Sequence, residues 1–318
     1  MQSAIDTLRG KHFFDQTDVA DLSGRTVLVT GGTLGISFEV AKSSAVSRAR
    51  VLILSRKLGN GETAVQRIQS ETSGGADIEF IEIDLGNLNT LVAGAGIGVN
   101  EYALSSDGIE HHFSVNNLGH IFLINRLLPL IRRTAALNEF PAPRIVQISS
   151  SLHLTASSSI KFASLEEVND ESIGPNALYA RSKLANILFT RWLAAHVFER
   201  GSRIYALATH PGAVATGQQD QLKDAYGTLV GGMIKGVVTP ILRQPEQGSL
   251  STLWAATSEE IEEKDLQGVY ITDPGEWGGE SKQSQDEILR ENLWSLSHKL
   301  IQEKAGEDAF LDWSDANA

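Results

Sequence analysis

The chain has 318 residues, 42% apolar and 21% charged, with 27 Lys and Arg against 39 Asp and Glu for a formal net charge of −12. That length and apolar content suit one large α/β domain or two modest ones, and exclude disordered, collagen-like and coiled-coil chains. The acidic balance gives no electrostatic reason for nucleic-acid binding, and the lack of cysteine removes disulfides, thiolate metal sites and Cys nucleophiles.

Residues 1–23 read as an N-terminal extension. Asp6, Asp15, Asp18 and Asp21 are mixed with Arg9 and Lys11, without the apolar core of a signal peptide. The expected location is the cytoplasm, with a mitochondrial address as the alternative. The first strand is expected at Thr26–Thr30, followed by Thr30-Gly31-Gly32-Thr33-Leu34-Gly35-Ile36 and a helix over Leu34–Ser47. Glycines at a first strand–helix junction permit a tight turn and let backbone N–H groups approach a pyrophosphate at the helix N-terminus. Taken alone, the same pattern also describes an ordinary turn.

A second strand, Arg50–Ser55, runs into Arg56-Lys57, and no acid follows until Glu62. A carboxylate at this position would bind a ribose 2′-hydroxyl, whereas Arg56 suits the 2′-phosphate of NADP(H). After a helix over Glu62–Glu71 comes a third strand, Ile78–Ile83, closed by Asp84-Leu85, where a carboxylate can accept from an adenine amino group. The fourth strand is Thr90–Ala93.

Further strands are expected at Arg144–Ser149, Arg203–Ala208 and Gly268–Thr272. Helices are expected at Gly108–Arg133, Leu178–Glu199, Pro245–Thr257 and Ser284–Lys304, leaving 305–318 as a tail. Short, nearly all-apolar strands alternating with helices indicate a doubly wound parallel sheet of Rossmann type in a single domain, 24–304. The longest apolar stretch, Ala225–Leu242, is broken by Lys235 and four glycines and falls short of a membrane span.

Tyr179-Ala180-Arg181-Ser182-Lys183 places Tyr179 and Lys183 on one helix face. An ammonium beside a phenol favours the phenolate and would lower its pKa into a useful acid–base range. Ser149-Ser150-Ser151 ends the fifth strand, on the side where open α/β sheets bind ligands.

Five ordered features give the chain a family resemblance from about Ser23 to the last helix. They are TGGTLGI, the Ser55-Arg56 strand end, Asn116-Asn117-Leu118-Gly119, YARSK, and His210-Pro211-Gly212-Ala213-Val214-Ala215-Thr216. The chain resembles the short-chain dehydrogenase/reductase family, and VNNLGH, YARSKLANILFT and HPGAVAT look most like its retinol-dehydrogenase-like branch. The resemblance implies NADP(H)-dependent hydride transfer to or from a small-molecule carbonyl or alcohol, lipophilic or a secondary metabolite. Tyr179 would be the acid or base, Lys183 would lower its pKa and hold the nicotinamide ribose, Ser150 would orient the carbonyl, and Asn116 would hold a relay water. Gly31, Thr33, Leu34, Gly35, Ile36, Arg56, Asp84, Leu85, Gly94, Pro211, Gly212, Val214 and Thr216, with Tyr179 and Lys183, would contact the cofactor. No metal is implied. Residues 217–242 would form a substrate lid, or alternatively a membrane-surface helix. Pairing into homodimers or homotetramers would use the third and fourth long helices, where Leu184, Ile187, Leu188 and Trp192 are expected mainly to be core.

Three departures stand out. Ser37 replaces the last glycine of the family's phosphate loop, where its Cβ is expected to crowd the cofactor. Asn-Asn-Ala-Gly after the fourth strand is replaced by Ala93-Gly94-Ala95-Gly96. Only Gly86–Asn89 separate Leu85 from the fourth strand. In the strand order 3-2-1-4 the chain must move about 14 Å sideways and about 17 Å back, and four residues reach only about 15 Å. A deleted crossover helix, a displaced third or fourth strand and an exposed apolar face are the expectation. The alternative function is then an impaired variant retaining only nucleotide or partner binding.

Overall fold

Each β-branched run forms a strand because its side chains are covered on both faces. The strands are β1 (Thr26–Thr30), β2 (Arg50–Leu54), β3 (Ile78–Phe80), β4 (Thr90–Ala93), β5 (Arg144–Ile148), β6 (Tyr205–Thr209) and β7 (Tyr270–Asp273). In the computed structural model they pair in parallel in the order 3-2-1-4-5-6-7, and the unforeseen β8 (Glu276–Trp277) adds an antiparallel edge. Asp273-Pro274-Gly275 makes that reversal, with Gly275 at φ +74°. The structure describes residues 14–55, 58–72, 75–80, 88–137, 141–198, 203–214 and 242–311.

Among the described residues the six long helices are α1 (Gly35–Val46), α2 (Leu58–Glu71), α3 (Gly119–Ala136), α4 (Pro175–His196), α5 (Pro245–Thr257) and α6 (Glu287–Ala305). Strand alternation sorts them into two layers. Val27 and Val29 of β1 pack with Phe38 and Val40 of α1 and with Leu253 and Trp254 of α5. Leu28, between them, joins Ile121 and Ile124 of α3, Leu184 and Leu188 of α4, and Leu293 and Leu300 of α6. Leu184, Ile187, Leu188 and Trp192 are buried core residues within the chain, and Trp192 stacks on Trp294 of α6 at 3.7 Å between ring centres. At the chain ends, Val19 and Leu22 are buried beside α1, while Leu311 exchanges two hydrogen bonds with Asn125 of α3.

The expected strand displacement is overturned. β3 pairs with β2 through Val51↔Ile78, and β4 pairs with β1 through Val27↔Thr90, so both occupy their regular positions. β3 is described over Ile78–Phe80, and nine residues, 81–89, separate Phe80 from Thr90, against the four counted from Leu85. Nine residues can extend about 30 Å, enough for the lateral step and return. They are fewer than the ten to twelve or so that an ordinary helical crossover uses, and residues 81–87 lie outside the described residues. The expected exposed apolar face is also corrected. On the α3 side of this half, Leu28 and Leu52 are fully buried, and β3 presents only Glu79, ion-paired with Arg50 at 3.2 Å.

Two helix starts differ from expectation. α4 opens three residues early because Pro175 occupies the first turn, where a missing N–H costs nothing. The helix expected from Gly108 instead begins with one α-turn, His111–Phe113, and a π-helical stretch, Ser114–Leu118, before α3. Among the described residues no helix is long and apolar enough to cross a membrane, and the expected lid falls outside them except for Leu242.

Candidate active site

The C-terminal ends of β1, β4, β5 and β6 converge on one crevice edge. After β1 the chain turns through Gly31 at φ +69° and Gly35 at φ +62°. A Cβ on Gly31 would lie 2.8 Å from the Ala95 backbone, so this close approach requires glycine. Leu34 precedes α1 in extended conformation with no side-chain cap and is 69% exposed, leaving the first N–H groups of α1 available to an anion. Thr33 and Ile36 flank it, half-buried.

Ser37 does not crowd this turn in the way expected. It is buried, and its Oγ fills the space in which a Cβ on Gly94 would stand. The two departures from the family pattern are therefore sterically complementary: loss of the asparagine at 94 makes room for a serine at 37.

Behind the turn, Thr30 Oγ1 accepts from the N–H groups of Gly94 and Ala95, both at 2.9 Å, and lies 3.1 Å from His120 Nε2. The other ring nitrogen, Nδ1, donates to the Asn116 carbonyl at 3.2 Å. Burial pulls the His120 pKa down to about 4, consistent with a neutral ring linking β1 to the π-helical stretch. The Asn116 amide is fully engaged, accepting from Ile97 N at 2.8 Å and donating to Ile97 O and Ser182 Oγ at 3.1 and 3.0 Å. Ser182 in turn donates to Tyr179 O at 2.8 Å. His120 and Ser182 were not foreseen; the His of VNNLGH and the Ser of YARSK carried the only signal.

Of the three serines after β5, Ser149 is buried and donates to Lys183 O at 2.7 Å, which leaves it a structural bond. The Ser150 side chain lies close enough to the Tyr179 phenol to lower its pKa. Lys183 Nζ stands 5.5 Å from the Tyr179 ring centre and donates to Ile148 O at 2.9 Å. Tyr179, Ser150 and Lys183 are thus brought together, with Asn116 one hydrogen-bonded step behind.

The expected lowering of the tyrosine pKa is corrected. Burial pushes the Tyr179 phenol up to about 12, because desolvation disfavours the phenolate by more than Ser150 favours it. Burial also draws Lys183 down to about 8. At neutral pH the site therefore holds a protonated phenol ready to donate.

On the far side, Gly212 at φ +80° follows Pro211, and a Cβ there would lie 2.8 Å from Arg243 Cδ. Val214 bridges to Arg243, whose Nη1 meets Asp273 at 2.8 Å, so the two ends of the segment 215–241 are held together at the crevice. Arg56, Asp84, Leu85 and Thr216 lie outside the described residues.

One buried cluster escaped sequence reasoning. Glu110 accepts from the backbone N–H groups of His112 and Phe113, meets His112 Nδ1 at 2.7 Å and meets Arg181 Nη2 at 3.3 Å. The second nitrogen of His112, Nε2, faces Gly98 O at 3.0 Å, so both ring nitrogens face oxygen atoms. These three side chains are at most 1% exposed and pin the loop after β4 to α4. A charged residue inside the Tyr179–Lys183 turn, on the opposite face, was the available signal.

Comparison with known proteins agrees with this geometry. The family model for short chain dehydrogenase matches residues 25–162. The mitochondrial oxidoreductase bli-4 of Neurospora crassa is 33% identical over 93% of this chain and 76% of its own length. Retinol dehydrogenase 12 of Mus musculus is 30% identical over 90% of this chain and 89% of its own. A crystal structure of an uncharacterized protein from Mycobacterium paratuberculosis superposes with a TM-score of 0.68 at 25% identity, covering 92% of this chain and 98% of that one. The chain is an oxidoreductase of the short-chain dehydrogenase/reductase family, in its retinol-dehydrogenase-like branch, a family that transfers hydride with nicotinamide cofactors.

Proposed function

We propose that this chain is an NADP(H)-dependent oxidoreductase that interconverts a ketone or aldehyde with its alcohol, acting on a lipophilic small molecule. The observation that carries the reading is the placement of Tyr179 beside Lys183 and Ser150 at the end of β5, across from the uncapped N-terminus of α1. The residues present fit a dinucleotide: the left-handed Gly31 and Gly35 and the free first turn of α1 suit a pyrophosphate, with Thr33, Leu34 and Ile36 along it. Gly94, Pro211, Gly212, Val214 and Thr216 would line the nicotinamide end, and Asp84 and Leu85 the adenine end. The choice of NADP(H) rests on Arg56 in a strand end without a nearby acid.

When bound, that cofactor supplies or takes up the hydride. Tyr179 donates its phenolic proton to the carbonyl oxygen in reduction and recovers it in oxidation, while Ser150 Oγ hydrogen-bonds the same oxygen and fixes its orientation. Lys183 holds the ribose and places a positive charge where the phenolate develops. Asn116 holds the loop after β4 through Ile97, and through Ser182 it supports the turn carrying Tyr179.

The reading of an impaired variant rested on the short connection before β4 together with Ser37 and Gly94; β3 and β4 are both in register, and Ser37 fits against Gly94. The test is NADPH oxidation with a panel of aldehydes and ketones of increasing chain length, alongside Tyr179→Phe. Activity that rises with chain length and disappears in Tyr179→Phe supports the proposal. NADH-only turnover, or activity indifferent to Tyr179, overturns it.

A further inference from the structure

Ser150 is held by two histidines that the reaction does not use. His153, three residues later, and His210, after β6, approach the Ser150–Ser151 peptide from different elements. The His153 ring lies 2.6 Å from Ser150 O through Nδ1, and its Nε2 accepts from Ser281 N at 3.1 Å. A backbone N–H can only donate, so His153 Nε2 is unprotonated and the proton sits on Nδ1, donated to Ser150 O. His210 is the mirror case. Its Nδ1 accepts from Ser151 N at 3.1 Å, which fixes the proton on Nε2. Both rings are therefore neutral, with opposite tautomers. Burial agrees: it lowers both pKa values, His210 to about 4.

Tyr270 of β7 is wedged against both rings. It meets His153 edge-on at 5.0 Å and 70°, and lies over His210 at 6.4 Å and 20°. The tyrosine is 2% exposed, so this aromatic trio is solid packing rather than a loose surface contact. The far end is anchored as well. Ser281 follows Glu280, which is ion-paired with Arg191 of α4, the helix that carries Tyr179. The carbonyl of Ser150 is thus tied through His153, Ser281 and Glu280 to the same helix as its catalytic partner, while Ser151 N is tied through His210 to β6.

We infer that His153 and His210 form a positioning brace that sets the Ser150 hydroxyl at hydrogen-bonding distance from Tyr179 and from the substrate oxygen. The inference rests on the reading of Ser150 as the residue that orients the carbonyl. Neither histidine touches substrate or cofactor; each acts through the serine peptide.

Asn and Gln substitutions separate the two ring nitrogens, because an Asn amide reaches about where Nδ1 sits and a Gln amide about where Nε2 sits. His153→Asn keeps a donor for Ser150 O, and His210→Asn keeps an acceptor for Ser151 N. His153→Gln and His210→Phe lose them. With NADPH-saturated enzyme and nonanal as the carbonyl probe, His153→Gln and His210→Phe are expected to lower kcat about ten- to a hundred-fold, with NADPH affinity unchanged. The two Asn variants are expected to recover most of the rate. In a Ser150→Ala background the same substitutions are expected to have no further effect on kcat, since the group they position is gone. Full additivity with Ser150→Ala, or an equal loss in Asn and Gln variants, overturns the brace.

A second readout does not depend on activity. Ring ¹⁵N shifts of the ligand-free protein are expected to show His153 protonated on Nδ1 and His210 on Nε2, and identical tautomers overturn the brace. Wild-type protein inert toward the carbonyl panel, with the two opposite tautomers present, would count against the proposed function while leaving the brace standing.

Discussion

The two ends of the crevice are built by different means. At the β1–β4 end, fit is steric: Gly31 lies against Ala95, and Ser37 fills the place of a side chain at Gly94. At the β5–α4 end, fit is polar: Asn116, Ser149, Ser150, Lys183, His153 and His210 are each held by defined donors and acceptors. Steric fit tolerates exchange when a loss on one side matches a gain on the other. Polar fit does not, because an unpaired buried group costs about 1–3 kcal/mol and more when charged. This explains why both departures from the family's glycine and asparagine pattern fall at the first end, while the motif residues at the second are intact.

The largest expected effect lies at the polar end. Tyr179→Phe is expected to lower kcat about 10²–10⁴-fold, the usual contribution of a positioned acid, while NADPH still raises the melting temperature. Next is the charged cluster behind it. Glu110→Gln leaves the Arg181 guanidinium buried without its carboxylate, and is expected to cost about 3–5 kcal/mol in denaturant unfolding. A loss below 1 kcal/mol would show that these charges are solvated rather than locked.

The steric end is expected to respond less and to be rescuable. Gly94→Ala collides with Ser37 Oγ and is expected to cost about 1–3 kcal/mol, and adding Ser37→Gly is expected to recover part of it. Additive losses in the double variant would contradict the pairing of the two positions.

Lys183 gives a pH dependence with a definite sign. Its pKa is about 8 in the fold against 10.5 as a free side chain. Above about pH 8 the folded protein sheds a proton that the unfolded chain retains, so this group makes stability rise as pH climbs toward 10.5. The carbonyl reduction rate is expected to fall over the same range as the ammonium is lost. A rate and a stability that move together would place the titration elsewhere.

Much of this architecture could be read from the residues. Apolar strand runs fixed β1, β2, β4 and β5 to within one residue, and YARSK fell on a helix face as its spacing required. The strand displacement was misjudged because a count of residues between Leu85 and Thr90 carries no information on pairing register, and β3 and β4 both pair in their regular places. Lys183's effect on Tyr179 was misjudged because spacing along a helix says nothing about desolvation. Glu110, His120 and Tyr270 were invisible for a related reason: their partners Arg181, Thr30, His210 and His153 lie 60 to 117 residues away, which no local pattern records.

The most direct test of an assembled, cofactor-competent site is a thermal-shift titration of the purified protein with NADPH and, separately, NADH. The expected result is a cooperative melt that rises with NADPH and rises less with NADH at equal concentration. A melt indifferent to both nucleotides, or one favouring NADH, would contradict it.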